Sequence, residues 1–192
     1  VGDGARGLEL IRQALDTSEL PARVFNPTHV NRKRALFEEA IALTARGCTI
    51  DITAFPVDDD EDAWPADVAL ERYLASGAAP ERVTISSDGG GCLPVFDAEG
   101  RVTRMDVGAS TALAETLRVL LSRGGALETV LPAFTSNVAT FLRLTHKGRI
   151  SVGADADLVV LDDSHRVRDV MARGVWHVRD GALVKRGLFE GR

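Results

Sequence analysis

Between Gly7 and Ser87 the sequence alternates between stretches of helical period and short β-rich runs, and this alternation constrains the fold more than any other feature. Leu8, Leu10, Ile11, Ala14 and Leu15 recur at helical spacing, and Pro21 then precedes an extended segment ending near Val30. Ala35 to Ala45 repeats the helical pattern through Leu36, Ala40, Ile41 and Leu43, closes at Gly47, and gives way to CTIDIT at 48–53. Pro65 opens a further helical stretch through Leu74, Gly77 ends it, and Arg82 to Ser87 alternates as a third strand. Strands separated by helices of about 10 to 14 residues require right-handed crossovers and a parallel sheet. The opening VGDG reads as the turn after a strand whose residues precede Val1. Three βα units plus that strand make about half of an eight-stranded barrel, the alternative being a small open α/β sheet.

Helical patterns continue from Thr111 to Leu121, from Ala126 to Ala133 and from Ser136 to Leu144. The period then changes. GADADLVVLDD from Gly153 and RDVMARGVWHVRDGALVKRG after it hold short β-rich runs broken by Gly and Asp, as expected of a hairpin-based appendage with its boundary near Lys147. With 192 residues, 45% of them apolar, the chain can bury a sizeable core. A net charge of -5 with no Lys/Arg stripe argues against nucleic acid or anionic lipid as a partner. No apolar stretch approaches the roughly 20 residues that span a bilayer, and the first residues carry no basic segment followed by an apolar one, so a cytoplasmic protein is expected. Cys48 and Cys92 lack a C-x-x-C spacing and fit reduced thiols better than a disulfide framework or a structural zinc module.

Chemistry on a parallel barrel gathers at the C-terminal ends of strands. In FNPTHVNR, at 25–32, His29 ends the first strand and Arg32 lies in the loop that leaves it. From the residues alone, a turn histidine beside a surface arginine fits this segment at least as well as a ligand beside a cationic clamp. In TISSDGGGCLP, at 84–94, Asp88 closes a strand, and the three glycines permit close backbone approach or positive φ. A plain Asp-Gly turn fits equally, and no G-x-x-x-x-G-K-[ST] phosphate loop is present. Asp51 is expected to make a structural hydrogen bond, Cys48 to be a small core residue, and Met105 and Trp176 to pack. His146, His165 and His177 fit structural roles. The acidic 58–64 segment is expected to be a passive loop rather than a lid.

Histidine at one strand end, aspartate two strands later, and GRISVGADADLVVLD at 148–162 together resemble the amidohydrolase superfamily. Within it, NPTHVNR, GCTIDIT, RVTISSDGGG and LPAFTSNVATFLRLTHKGRISVGADADLVVL resemble the bacterial isoaspartyl (β-aspartyl) dipeptidases over nearly the whole chain. The resemblance implies an α/β fold, with the second half of a TIM-like (β/α)8 barrel in residues 1–147 and part of a small β-sandwich domain in 148–192. It implies metal-dependent hydrolysis of the isopeptide bond of isoaspartyl dipeptides by a metal-activated water, zinc as the metal with two ions in the complete protein, and a homo-oligomer. His29 would be a ligand of the second metal, Asp88 a metal ligand that also moves the catalytic proton, and Arg32 would clamp a substrate carboxylate. Cys92 stands where the family tends to carry a small hydroxyl, and its S–H is a weaker donor.

Elementary chemistry agrees with those roles. Neutral imidazole and carboxylate are good zinc ligands, and a planar guanidinium holds a carboxylate bidentately. The family's His-x-His pair, its carboxylated lysine and a further histidine belong to strands before Val1, so residues 1–192 alone are expected to be inactive. Another amidohydrolase activity, such as cyclic-amide hydrolysis, and a non-catalytic scaffold are the alternatives.

Overall fold

The computed structural model describes residues 7–97 and 99–187, so the expectation for VGDG lies outside the described residues. Helix α1 spans Glu9–Thr17, α2 Arg34–Thr44 and α3 Ala66–Ala75, while strands β1 (Ile50–Thr53) and β2 (Val83–Ser86) pair in parallel with α3 between them. Ile50 lies opposite Val83 and Thr53 opposite Ser86. Side chains alternate across a strand, and here the alternation sorts by chemistry. Ile50, Ile52, Val83 and Ile85 join the buried cluster with Phe37, Leu43, Leu70 and Tyr73 of the flanking helices. Asp51, Thr53, Thr84 and Ser86 occupy the opposite face. Fully burying each large apolar side chain contributes about 1.5–3 kcal/mol, which fixes this register, since a slip of one residue would turn the isoleucines outward.

The segment expected as the first strand differs from that expectation. Ala22–Val24 and Val30–Arg32 are 3-10 turns, and His29 between them takes a left-handed backbone with φ of 59°. The chain nevertheless runs beside β1: Thr49 N–H donates to the Phe25 carbonyl at 3.2 Å and Asp51 N–H to the Pro27 carbonyl at 2.9 Å. Proline at 27 has no N–H to return the bond, so the ladder runs one way only.

A second departure is a hairpin. Strands β3 (Cys92–Phe96) and β4 (Val102–Val107) pair antiparallel with Cys92 opposite Val107, and the Asp97 carboxylate caps the turn by accepting the N–H groups of Glu99 and Arg101 at 3.0 and 2.8 Å. Met105 lies on this hairpin at 54% exposure and is not the packing residue expected.

Helix α4 covers Ala112–Ser122. The next two helical stretches are shorter than their patterns: α5 is Leu127–Val130 and passes into a 3-10 turn at Leu131–Phe134, where Pro132 has no N–H to continue an α-helix, and α6 is Ser136–Phe141. Gly148, with φ of 77°, then crosses over α6 where an added Cβ would meet the Ala139 Cβ at 2.5 Å. Strands β5 (Leu158–Leu161), β6 (Val167–Ala172), β7 (Val175–Arg179) and β8 (Ala182–Leu183) form a four-stranded antiparallel sheet in sequence order. Its tight turns place Arg173-Gly174 and Asp180-Gly181 at positive φ, as primed hairpin turns demand. The glycine-aspartate phrase joins this sheet to the preceding helices. Lys147 Nζ binds the carboxylates of both Asp155 and Asp157, and Asp157 in turn accepts the Arg173 N–H at 2.7 Å.

Trp176 is half-buried, with the Arg179 guanidinium 5.1 Å from its ring centre, and Cys48 is fully buried. Among the described residues no helix is long and apolar enough to cross a membrane.

Candidate active site

At the C-terminal ends of β1 and β2 the polar face of the sheet meets two side chains from different loops. His29 Nε2 lies 3.9 Å from Asp88 Oδ2. The other ring nitrogen, Nδ1, lies 2.8 Å from the Thr53 hydroxyl. When Nδ1 carries the proton and donates it to Thr53, Nε2 presents its lone pair toward Asp88. Burial lowers the His29 pKa, the nearby Arg32 charge lowers it further, and the Asp88 carboxylate pulls the other way. The net effect favours neutral imidazole, the ligand form.

Asp88 sits at φ of 47° with its carbonyl taking the Gly91 N–H at 2.8 Å. The glycines around it answer a local need. An added Cβ on Gly91 would meet Asp88 Oδ1 at 2.7 Å, and one on Gly108, at the end of β4, would meet the Asp88 carbonyl at 2.3 Å. Gly90 and Gly91 exchange hydrogen bonds with Gly108, each at 2.9 Å, so the hairpin folds its base against the residue that carries the carboxylate. Cys92 is exposed at the start of that hairpin. Arg32, three residues beyond His29, lies with its guanidinium 5.7 Å from the Phe55 ring centre. Phe55 also lines a cleft of about 540 Å³ between α3, α4 and the hairpin, which includes neither His29 nor Asp88.

Beside the pair lies a hydrogen-bonded network built on Asp51 and Asn31. Asp51 is 6% exposed and accepts hydroxyl bonds from Thr28 (2.7 Å), Thr84 (2.7 Å) and Ser86 (2.5 Å). Burial pushes its carboxyl pKa up, and the three hydroxyls oppose that shift. Fully buried Asn31 accepts the Thr53 N–H at 2.9 Å and donates to the carbonyls of Thr53 and Trp64 at 3.0 and 2.8 Å. Trp64, at the end of the acidic loop, donates its backbone N–H to the Asn31 carbonyl, and the guanidiniums of Arg34 and Arg72 lie 4.3 and 3.7 Å from its ring centre. The signal for this network was the alternation of hydroxyl and isoleucine in CTIDIT and VTIS. Asn31 gave no signal, since its partners are 22 and 33 residues away.

The donor set suits a borderline divalent ion. Imidazole nitrogen and carboxylate oxygen are both ordinary zinc donors, and His29 Nε2 and Asp88 Oδ2 face each other at 3.9 Å. Among the described residues no group of three His, Cys, Asp or Glu side chains converges that could by itself hold a metal ion. His146, whose Nδ1 lies 3.3 Å from the Gly153 carbonyl, and His165 and His177 in the small sheet stand apart from His29 and Asp88.

Residues 22–185 match the family model described as the amidohydrolase family. The chain belongs to that family. The structure is similar to a β-aspartyl dipeptidase from Fervidobacterium islandicum AW-1, solved in complex with β-Asp-Leu dipeptide, with 35% identity and a TM-score of 0.88 over 98% of this chain and 48% of the other. A second structure of β-aspartyl dipeptidase from the same organism aligns with 32% identity and a TM-score of 0.81, again over 98% of this chain and 47% of the other. D-hydantoinase from a Thermus species shares the fold at 21% identity and a TM-score of 0.64, over 96% of this chain and 51% of that one. The chain thus spans about half the length of these amidohydrolase-fold relatives, and the fold is α/β of the TIM-barrel type.

Proposed function

We propose that the chain is part of a metal-dependent hydrolase that cleaves the isopeptide bond of isoaspartyl dipeptides. Residues 1–147 would complete the second half of a TIM-like (β/α)8 barrel, and 148–192 would contribute to a small β-sandwich domain. The observation that carries this reading is the approach of His29 Nε2 to Asp88 Oδ2 at strand ends. Similarity to a dipeptidase that binds β-Asp-Leu supports the choice of substrate.

In this reading His29 would hold the second zinc ion and Asp88 would also be a zinc ligand, with ligands from the rest of the protein completing a two-ion site. Bound zinc supplies a water of lowered pKa and polarises the scissile carbonyl. Asp88 would hold the catalytic proton at a carboxylate oxygen and pass it to the leaving amine. Arg32 holds a carboxylate of the dipeptide with its planar fork, braced by the Phe55 ring beneath it. Thr53 keeps the His29 ring turned toward Asp88. Cys92, exposed after the glycine run, lines the substrate side with a weak donor.

The test is turnover of β-Asp-Leu and of a hydantoin by the full-length protein and by its His29→Ala and Asp88→Ala variants. The expected result is β-Asp-Leu hydrolysis in the wild type and at least about a hundredfold loss in each variant. Hydantoin turnover without dipeptide turnover would replace the substrate assignment, and full activity in both variants would remove the site.

A further inference from the structure

We propose that Asp51 is a positioning residue that sets the separation of His29 and Asp88, an inference that rests on reading those two as metal ligands. The two oxygens of its carboxylate have different partners. Oδ1 accepts the Thr84 hydroxyl at 2.7 Å, in the middle of β2. Oδ2 accepts the Thr28 hydroxyl at 2.7 Å and the Ser86 hydroxyl at 2.5 Å. Thr28 immediately precedes His29, and Ser86 lies two residues before Asp88. One oxygen therefore ties together the two chain segments that deliver the pair.

The backbone explains why a side chain is needed there. The ladder between β1 and the segment before His29 runs one way, because Pro27 has no N–H, and its last bond is Asp51 N–H to the Pro27 carbonyl. The Asp51 side chain supplies the next link, to Thr28. The same residue thus holds the His29 segment through main chain and side chain, and its carboxylate reaches across to β2 as well. Hydrogen bonds to an ionised acceptor are shorter and stronger than neutral ones, so a carboxylate suits a tie that fixes distance. Asp51 touches neither His29 nor Asp88 by hydrogen bond, so it acts through its neighbours.

A carboxylate that merely stabilised the sheet would make all three hydroxyls equivalent, and the experiment separates the two oxygens. In the full-length protein, Thr28→Val and Ser86→Ala remove the Oδ2 ties, Thr84→Val removes the Oδ1 tie, and Asp51→Asn weakens all three. Each protein is loaded with Co(II) as the probe metal, and cobalt stoichiometry, visible absorption spectrum and thermal midpoint are recorded. Positioning predicts an altered cobalt spectrum and roughly 10–100-fold weaker cobalt retention in Thr28→Val and Ser86→Ala, with Thr84→Val keeping the wild-type spectrum whatever its melting temperature. Wild-type spectra in both Oδ2 variants, or an equal perturbation in Thr84→Val, would overturn the proposal even if Asp51→Asn fails to fold. A wild type that takes up no cobalt would instead overturn the ligand reading beneath it.

Discussion

Asn31 is fully buried and commits its side-chain amide to the Thr53 N–H and to the carbonyls of Thr53 and Trp64. It stands two residues after His29, and Thr53 is also the residue that orients the His29 ring, so a residue without reactive chemistry fixes the loop that carries one ligand candidate. Replacing it with Leu would leave buried backbone groups unpaired, at about 1–3 kcal/mol for each. Denaturant unfolding of Asn31→Leu is therefore expected to show a loss of about 3 kcal/mol, and a change within about 0.5 kcal/mol would contradict the network described. At this scale His29, Arg32 and Asp88 stood out only through the family resemblance, since from the residues alone ordinary turns fitted both segments as well. Asn31, Thr28 and Ser86 did not stand out, because a hydroxyl or an amide acquires its role only from partners far along the chain.

Among the elements, the helices α2, α3 and α4 and the strands β1 and β2 follow their sequence patterns closely, since apolar period and burial agree there. The segment before His29 has an extended backbone but lacks a full ladder, and the responsible residue is Pro27. The β3–β4 hairpin escaped notice because Pro94 interrupts its first strand, a residue tolerated where a strand has only one partner. In the small sheet the expectation of hairpins held, and the turn after β6 shows how it is anchored. Lys147 holds the Asp157 carboxyl below its usual range, helped by the Arg173 N–H, and the Asp180 N–H and the Arg168 side chain do the same for Asp169. A carboxylate whose pKa is lowered by folding contributes stability above its unfolded value near 4, and that contribution is lost as pH falls through the folded value. Amide exchange in β5–β8 should therefore accelerate as pH drops below about 4, after correction for intrinsic exchange, and Asp157→Asn should remove part of that dependence. An unchanged pH profile in the variant would contradict the anchoring role.

For the molecule as a whole, the sheet's two faces divide the labour. Isoleucine and valine on one face hold α2 and α3, and hydroxyls and Asp51 on the other lead to His29 and Asp88. The likeness to β-aspartyl dipeptidase covers 98% of this chain and 48% of the relative, and on the proposed reading the rest of the site comes from beyond these residues. The helical spacing made the parallel βα order readable, and the family phrase made the barrel readable. The distance between His29 and Asp88 was not readable, because it depends on the one-way ladder, on Asp51, and on the glycines packed around Asp88. The most direct test of the central claim is anomalous scattering at a zinc edge from crystals of the full-length protein. The account predicts zinc peaks about 2.0–2.3 Å from His29 Nε2 and from an Asp88 carboxylate oxygen. A zinc-loaded protein with no peak bonded to either residue would contradict it.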